Sequence, residues 1–101
     1  MNWETVIFVR VYLTEADKTL EPLLKRLHDE EKVRGVTVFR AVSGFGGSGR
    51  LHTASLVDLS LDLPVTVEFF DTPEKTERIL DHVKDLVGAG HIVRWQAEMN
   101  D

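Results

Sequence analysis

Between two stretches that read with the two-residue period of strands, the chain carries Leu20, Leu23, Leu24 and Leu27 at i, i+3, i+4 and i+7. Four leucines at that spacing form one apolar stripe on a helix. Such a stripe must be covered, so the helix has to lie on a strand layer built from its neighbours. Pro22 then belongs in the first helical turn, because deeper in the helix its ring clashes with a preceding carbonyl. The helix is expected within residues 17–32, with Gly35 as its terminator.

The flanking runs supply the strands. Residues 5–13 place Val6, Phe8 and Arg10 on one parity and Ile7, Val9 and Val11 on the other, and apolar residues on both sides mark a central strand. Residues 36–42 read as a second strand, and Pro64 introduces a third over 65–70. Thr72-Pro73-Glu74 is a helix start: a hydroxyl cap, proline at the first helical position and an acid at the positive helix end. Ile79, Leu80, Val83, Leu86 and Val87 form its apolar stripe, Gly88 and Gly90 stop it, and residues 91–98 form the last strand. The order is β-α-β-β-α-β: an α+β, ferredoxin-like sandwich with two helices on one face of an antiparallel sheet. At 101 residues the chain has room for one core, so residues 1–101 are a single domain.

A long glycine-rich loop separates strands two and three. Four of the seven glycines, Gly44, Gly46, Gly47 and Gly49, fall in six positions, followed by Arg50 and His52. Glycine permits positive φ and close approach to the backbone. Successive amides in such a turn form an anion-binding nest. Arg50 adds a planar five-donor fork, and Arg40 leads into the same region from strand two. These seven residues are the candidate ligand-binding set, for a phosphate or carboxylate. The same composition also makes a mobile or assembly-forming loop with no ligand. No Gly-Lys-Ser or Gly-Lys-Thr closes it, and the partial Gly-x-Gly-x-x-Gly spacing lacks its βαβ setting. Within residues 51–63, Leu59, Leu61 and Leu63 alternate with polar residues as in a half-buried strand. The favoured partner for that row is a neighbouring subunit, its own sheet face being the alternative.

Several chemistries are excluded or weak. Without cysteine there are no disulfides and no thiolate chemistry. His28, His52, His82 and His91 have no metal-ligand spacing, and His28 and His82 read as helix-surface residues beside Asp29 and Asp81. No cofactor motif and no metal site is expected. Glu68 sits among apolar neighbours, where a structural ion pair with Arg10 or Arg40 is favoured over acid catalysis. Asp71 is placed to help cap the following helix, and Trp3 and Trp95 read as packing residues near the sheet's ends. The net charge of −5 gives no attraction for nucleic acid or an anionic membrane. No apolar run approaches the roughly 18 residues of a membrane span, so no membrane insertion is expected. The first residues lack the signal-peptide pattern, and a cytoplasmic location is the expectation.

The run Gly35-Val36-Thr37-Val38-Phe39-Arg40-Ala41-Val42-Ser43-Gly44-Phe45-Gly46, then Gly49-Arg50-Leu51-His52-Thr53-Ala54, resembles domain-of-unknown-function family 190. So do Leu59-Ser60, the segment from Asp62 to Asp71, and Gly90-His91-Ile92. These proteins look like relatives of the PII nitrogen-regulatory signalling proteins. The resemblance implies a homotrimer of ferredoxin-like protomers. It also implies an effector loop at residues 43–62, with small ligands, often adenine nucleotides, bound between subunits near its base. Association of family members with transport genes implies a membrane-transport protein as partner. The loop lacks the PII-type tyrosine, Tyr12 of strand one being the chain's single tyrosine, so uridylylation is not implied.

The leading expectation is therefore a non-catalytic PII-like sensor of a small anionic ligand. One alternative is a small enzyme using His52 or a loop acid on a phosphorylated or carboxylated substrate. The other is an assembly protein without a ligand.

Overall fold

The computed structural model describes residues 1–44, 52–53 and 63–101. Strand β1 spans Trp3–Thr14 and is followed by helix α1, Leu20–Lys25, which runs on into a π-helical turn, Arg26–Glu30. Strand β2 is Val36–Arg40; the two-residue strands β3, Ser43–Gly44, and β4, His52–Thr53, pair with each other. Strand β5 is Pro64–Asp71, helix α2 is Pro73–Val83 and strand β6 is Ile92–Asn100. The main sheet has the antiparallel order β2-β5-β1-β6. That is the ferredoxin-like arrangement expected from the periodicity, with β1 central as its two-sided apolar character requires.

The sheet has one covered face. Val9, Val11 and Leu13 of β1 and Val67 and Phe69 of β5 pack with Leu23, Leu27, Ile79 and Val83 from the helices in one buried cluster. Leu23 and Leu27 are fully buried, and Leu20 and Leu24 flank them half-buried, so the leucine stripe is the helix's core face. Each fully buried leucine contributes about 1.5–3 kcal/mol. Pro22 lies in the first turn of α1. Thr72 caps α2 through its Oγ1, which accepts from Lys75 N–H at 3.2 Å, and Asp71 Oδ1 accepts from Thr72 N–H at 2.8 Å.

Some boundaries differ from the sequence expectation. The first helix is ended by Lys32, not Gly35. Its φ of 52° is left-handed, in a wide turn closed by Glu31 N–H donating to Arg26 O and Val33 N–H donating to Leu27 O. Strand β2 stops at Arg40; Ala41 N–H still bonds Pro64 O, the next position of the β2–β5 register, before the chain turns into β3. Helix α2 ends at Val83, before the glycines; Gly90, with φ of 84°, makes the turn into β6 instead. His82 pairs with Glu31 across the helices at 3.0 Å rather than with its neighbour Asp81, which bonds Lys84. Trp95 sits mid-strand in β6, stacked on Phe8 at 4.9 Å between centroids.

Leu59 and Leu61 lie outside the described residues. Leu63 is buried in its own chain, and its carbonyl accepts from Glu15 N–H at 2.9 Å. At that position the leucine row faces its own domain, not a neighbour. The physical reason is the backbone bond to Glu15, which draws the chain ahead of β5 onto the end of β1.

Candidate functional site

The ladder registers bring several turns to one end of the sheet. Thr14 of β1 faces Pro64 of β5, Arg40 of β2 faces Val65, and Val11 faces Ile92 at the start of β6. The exit of β1, both legs of the glycine-rich excursion and the turn before β6 therefore share this end.

Glu15 organises it. Its backbone N–H holds the returning leg through Leu63 O, while its half-buried carboxylate pairs with Arg40 on the outgoing leg. The legs also meet directly, Ala41 N–H donating to Pro64 O at 2.8 Å. Arg40 leaves 65 % of its side chain exposed against 18 % for Glu15, so the carboxylate is the anchored partner and the guanidinium the accessible one. A guanidinium keeps its charge at every physiological pH and offers a fork that fits carboxylate or phosphate.

Gly44 lies close against the Pro64 ring. A Cβ there would stand 3.1 Å from Pro64 Cγ, so a larger residue would require the proline ring to give by a few tenths of an ångström. Its ladder partner is His52. Gly46, Gly47, Gly49 and Arg50 lie outside the described residues. Of the seven candidates, the described geometry thus places Arg40, Gly44 and the backbone of His52 at the base of the excursion.

Two residues at this end were not among the candidate site residues read from the sequence. Glu15 carried no motif, and its only signal was an acid immediately after a strand that ends beside Pro64. His91 is locked to β1 twice: Tyr12 N–H donates to its carbonyl at 2.8 Å, and its Nδ1–H donates to Tyr12 O at 2.7 Å. That bond fixes the tautomer and makes Nε2 the ring's accepting nitrogen. The ring also lies close to Gly88, where an added Cβ would meet Cδ2 at 3.6 Å.

The opposite end is a polar hub of another kind. Asp71 is buried, with Lys75 Nζ 3.3 Å from Oδ2 and Arg34 Nε 3.9 Å from Oδ1. Lys75 Nζ also donates to Lys32 O at 2.8 Å, tying the end of the first helix to the start of the second. On the sheet face away from the helices, Arg10 Nε and Nη2 both contact Glu68 Oε1 at 2.5 Å, so Glu68 pairs with Arg10, while Arg40 pairs with Glu15. A hydrogen bond with Tyr12 and the Glu68 carboxylate hold the Arg10 guanidinium above its usual range. Among the described residues no group of three or more histidine, aspartate or glutamate side chains is placed to hold a metal, and no helix is long and apolar enough to cross a membrane.

Comparison with known proteins adds the family. A UPF0166 protein of Aquifex aeolicus is 37 % identical over 81 residues, covering 75 % of this chain and 76 % of that protein. CPII, a nitrogen regulatory PII-like protein from Thiomonas intermedia K12 solved with ADP, AMP and bicarbonate, superposes with a TM-score of 0.74. The identity there is 17 %, over 99 % of this chain and 92 % of that one, a likeness of fold. The periplasmic divalent cation tolerance protein CutA from Archaeoglobus fulgidus shares the fold at a TM-score of 0.59 and 16 % identity, over 95 % and 85 % of the two chains. Residues 6–99 match the model of DUF190, described as an uncharacterized ACR, and the chain belongs to that family.

Proposed function

We propose that this protein is a PII-like regulatory protein, a self-associating trimer that binds a small anionic ligand at the loop end of its sheet, in the cleft between subunits. An adenine nucleotide, alone or with bicarbonate, is the ligand class to test first, because the PII-like neighbour CPII carries ADP, AMP and bicarbonate on the same fold. The observation that carries the reading is the Arg40–Glu15 pair at the base of the excursion. It puts an accessible guanidinium where both loop legs converge, in a chain whose net charge of −5 would otherwise repel anions. Arg50, His52 and the glycines 44, 46, 47 and 49 complete the proposed set, with backbone amides and a second fork for the anion.

The role is binding rather than catalysis, and the output is a contact with another protein, a membrane transporter being the partner class. Action in the cytoplasm belongs to the same reading.

Calorimetry with ADP, AMP and bicarbonate, singly and combined, tests it. Wild type is expected to bind at least one of them. Arg40→Ala removes a charge-assisted contact of about 1.5–3 kcal/mol, so its Kd should rise at least tenfold. Arg50→Lys, which keeps the charge and loses the fork, should bind more weakly than wild type. No binding of any of the three ligands to the assembled protein would sink the nucleotide reading, and turnover of a bound ligand would move the assignment to an enzyme.

A further inference from the structure

Arg40 and Glu15 form an ion pair without being neighbours in the sheet. Arg40 belongs to β2 and Glu15 follows β1, and β5 runs between those two strands. Adjacent strands stand about 4.8 Å apart, so the pair spans roughly 10 Å of sheet. The registers set both residues on the face that carries the helices. Arg40 faces Val65, and Val65 faces Leu13. Glu15, whose N–H continues the ladder onto Leu63 O, extends the same row of alternate positions. Leu13, Leu63 and Val65 of that row are buried. The pair therefore passes over the start of β5 and straps the returning leg of the excursion to the sheet.

The Glu15 carboxylate occupies the guanidinium as an anionic ligand would. It is the better buried partner, and the 2.9 Å bond from its own N–H to Leu63 O anchors it beside the fork. A tethered group acts at a high effective concentration, so a free monoanion of the same charge gains nothing by taking its place. An anion that instead settles next to Glu15 meets a like charge in a poorly solvated position. A phosphoryl group differs on both counts. Its terminal oxygens carry about −1.5 to −2 of charge at neutral pH and offer three acceptors to the fork.

We propose that Glu15 is the resident competitor for the anion site, displaced from Arg40 by a phosphoryl group of the ligand and not by a lone monoanion such as bicarbonate. The inference rests on the ligand reading above and adds its specificity determinant and the first consequence of binding. Exchange of one anion for another on a single fork couples occupancy to structure, because a ligand that holds Arg40 releases the strap over β5. The coupling is reciprocal, so whatever loosens the strap strengthens binding by the same factor. Glu15 is thus a positioning residue that sets the threshold for the ligand. Residues 15, 41 and 64, whose backbones join the strand ends here, are where binding is first felt.

Calorimetry with ADP, together with amide hydrogen exchange read by NMR, tests this on wild type and Glu15→Gln, each checked by circular dichroism. Glu15→Gln keeps the size and the backbone bond to Leu63 and removes the charge. It should lower the Kd for ADP at least about threefold, the opposite of Arg40→Ala. Without ligand, protection of the amides of residue 15 and Ala41 should fall at least about threefold in Glu15→Gln, with Val67 in the middle of β5 unchanged. Saturating wild type with ADP should lower protection of the same two amides, and bicarbonate alone should leave them as they are. An equal or higher Kd for ADP in Glu15→Gln would make Glu15 a support for the fork and overturn the competition, with the ligand reading intact. Amides unchanged in Glu15→Gln, or in ADP-saturated wild type, would overturn the coupling, and loss of protection in bicarbonate alone would overturn the phosphoryl preference. Binding of ADP to Glu15→Gln alone would support the competition, whereas binding to neither protein would overturn this inference and the nucleotide reading together.

Discussion

Lys32 occupies a backbone conformation that suits glycine. Its φ of 52° closes the first helix, while its carbonyl accepts from Lys75 Nζ and its side chain points to solvent. A left-handed non-glycine residue costs about 1 kcal/mol. Lys32→Gly keeps the carbonyl contact and relieves that cost, so urea denaturation should show stabilisation of about 0.5–1 kcal/mol. Asp71 is the opposite case, a buried carboxylate with several dependants. It accepts from Thr72 N–H and lies within 4 Å of Lys75 and Arg34, although Oδ2 has no hydrogen-bond partner among the described residues. Asp71→Ala removes the acceptor for Thr72 N–H and the acid beside Lys75, while Arg34 keeps Glu4 at 3.7 Å, and should lower stability by about 2 kcal/mol or more. Asp71→Asn, which retains an oxygen for Thr72 N–H, should fall between the two in the same measurement.

Among the elements, α2 shows how far local chemistry sets an end. Thr72, Pro73 and Glu74 supply cap, fixed φ and favourable charge, and the helix begins where they stand. Thr72→Ala is expected to lower stability by about 1 kcal/mol in equilibrium unfolding, with the fold and the oligomer mass unchanged. The first helix lacks a side-chain cap bond. Its position comes from the buried stripe Leu23 and Leu27, and its end is held from outside: Arg26 Nη1 donates to His82 O at 2.8 Å, and His82 Nδ1 contacts the Glu31 carboxylate. That tie joins the two helix ends, while the left-handed Lys32 rather than Gly35 closes the first.

For the whole molecule, the expectation that bears on the proposed function is self-association. A chain of this size buries only about two-thirds of its extended surface, so assembly adds stability that the single core does not reach. Light scattering at micromolar concentration should report a mass near three times 11.5 kDa. A clean monomer would remove the basis for a cleft between subunits. The loop end and the open sheet face meet at β1, where the Tyr12 backbone is bonded twice to His91.

The sequence by itself determined the element order, the core and the helix starts, because each rests on local periodicity or on the stereochemistry of a few adjacent residues. Leu20 to Leu27, Thr72-Pro73 and the two-sided strand β1 need no partner to be recognised. The motif around residues 35–54 also carried the family. Tertiary structure alone decided the pairings. That Arg40 belongs to Glu15 and Arg10 to Glu68 depends on ladder register, which brings residues 25 and 58 positions apart into contact. That Gly44 serves the close approach of Pro64 follows from where the two loop legs cross. And that Val93 and Trp95 share a face with Arg10 rather than with the core follows from the pairing of β6 with β1, since a shift of one residue would reverse every side chain.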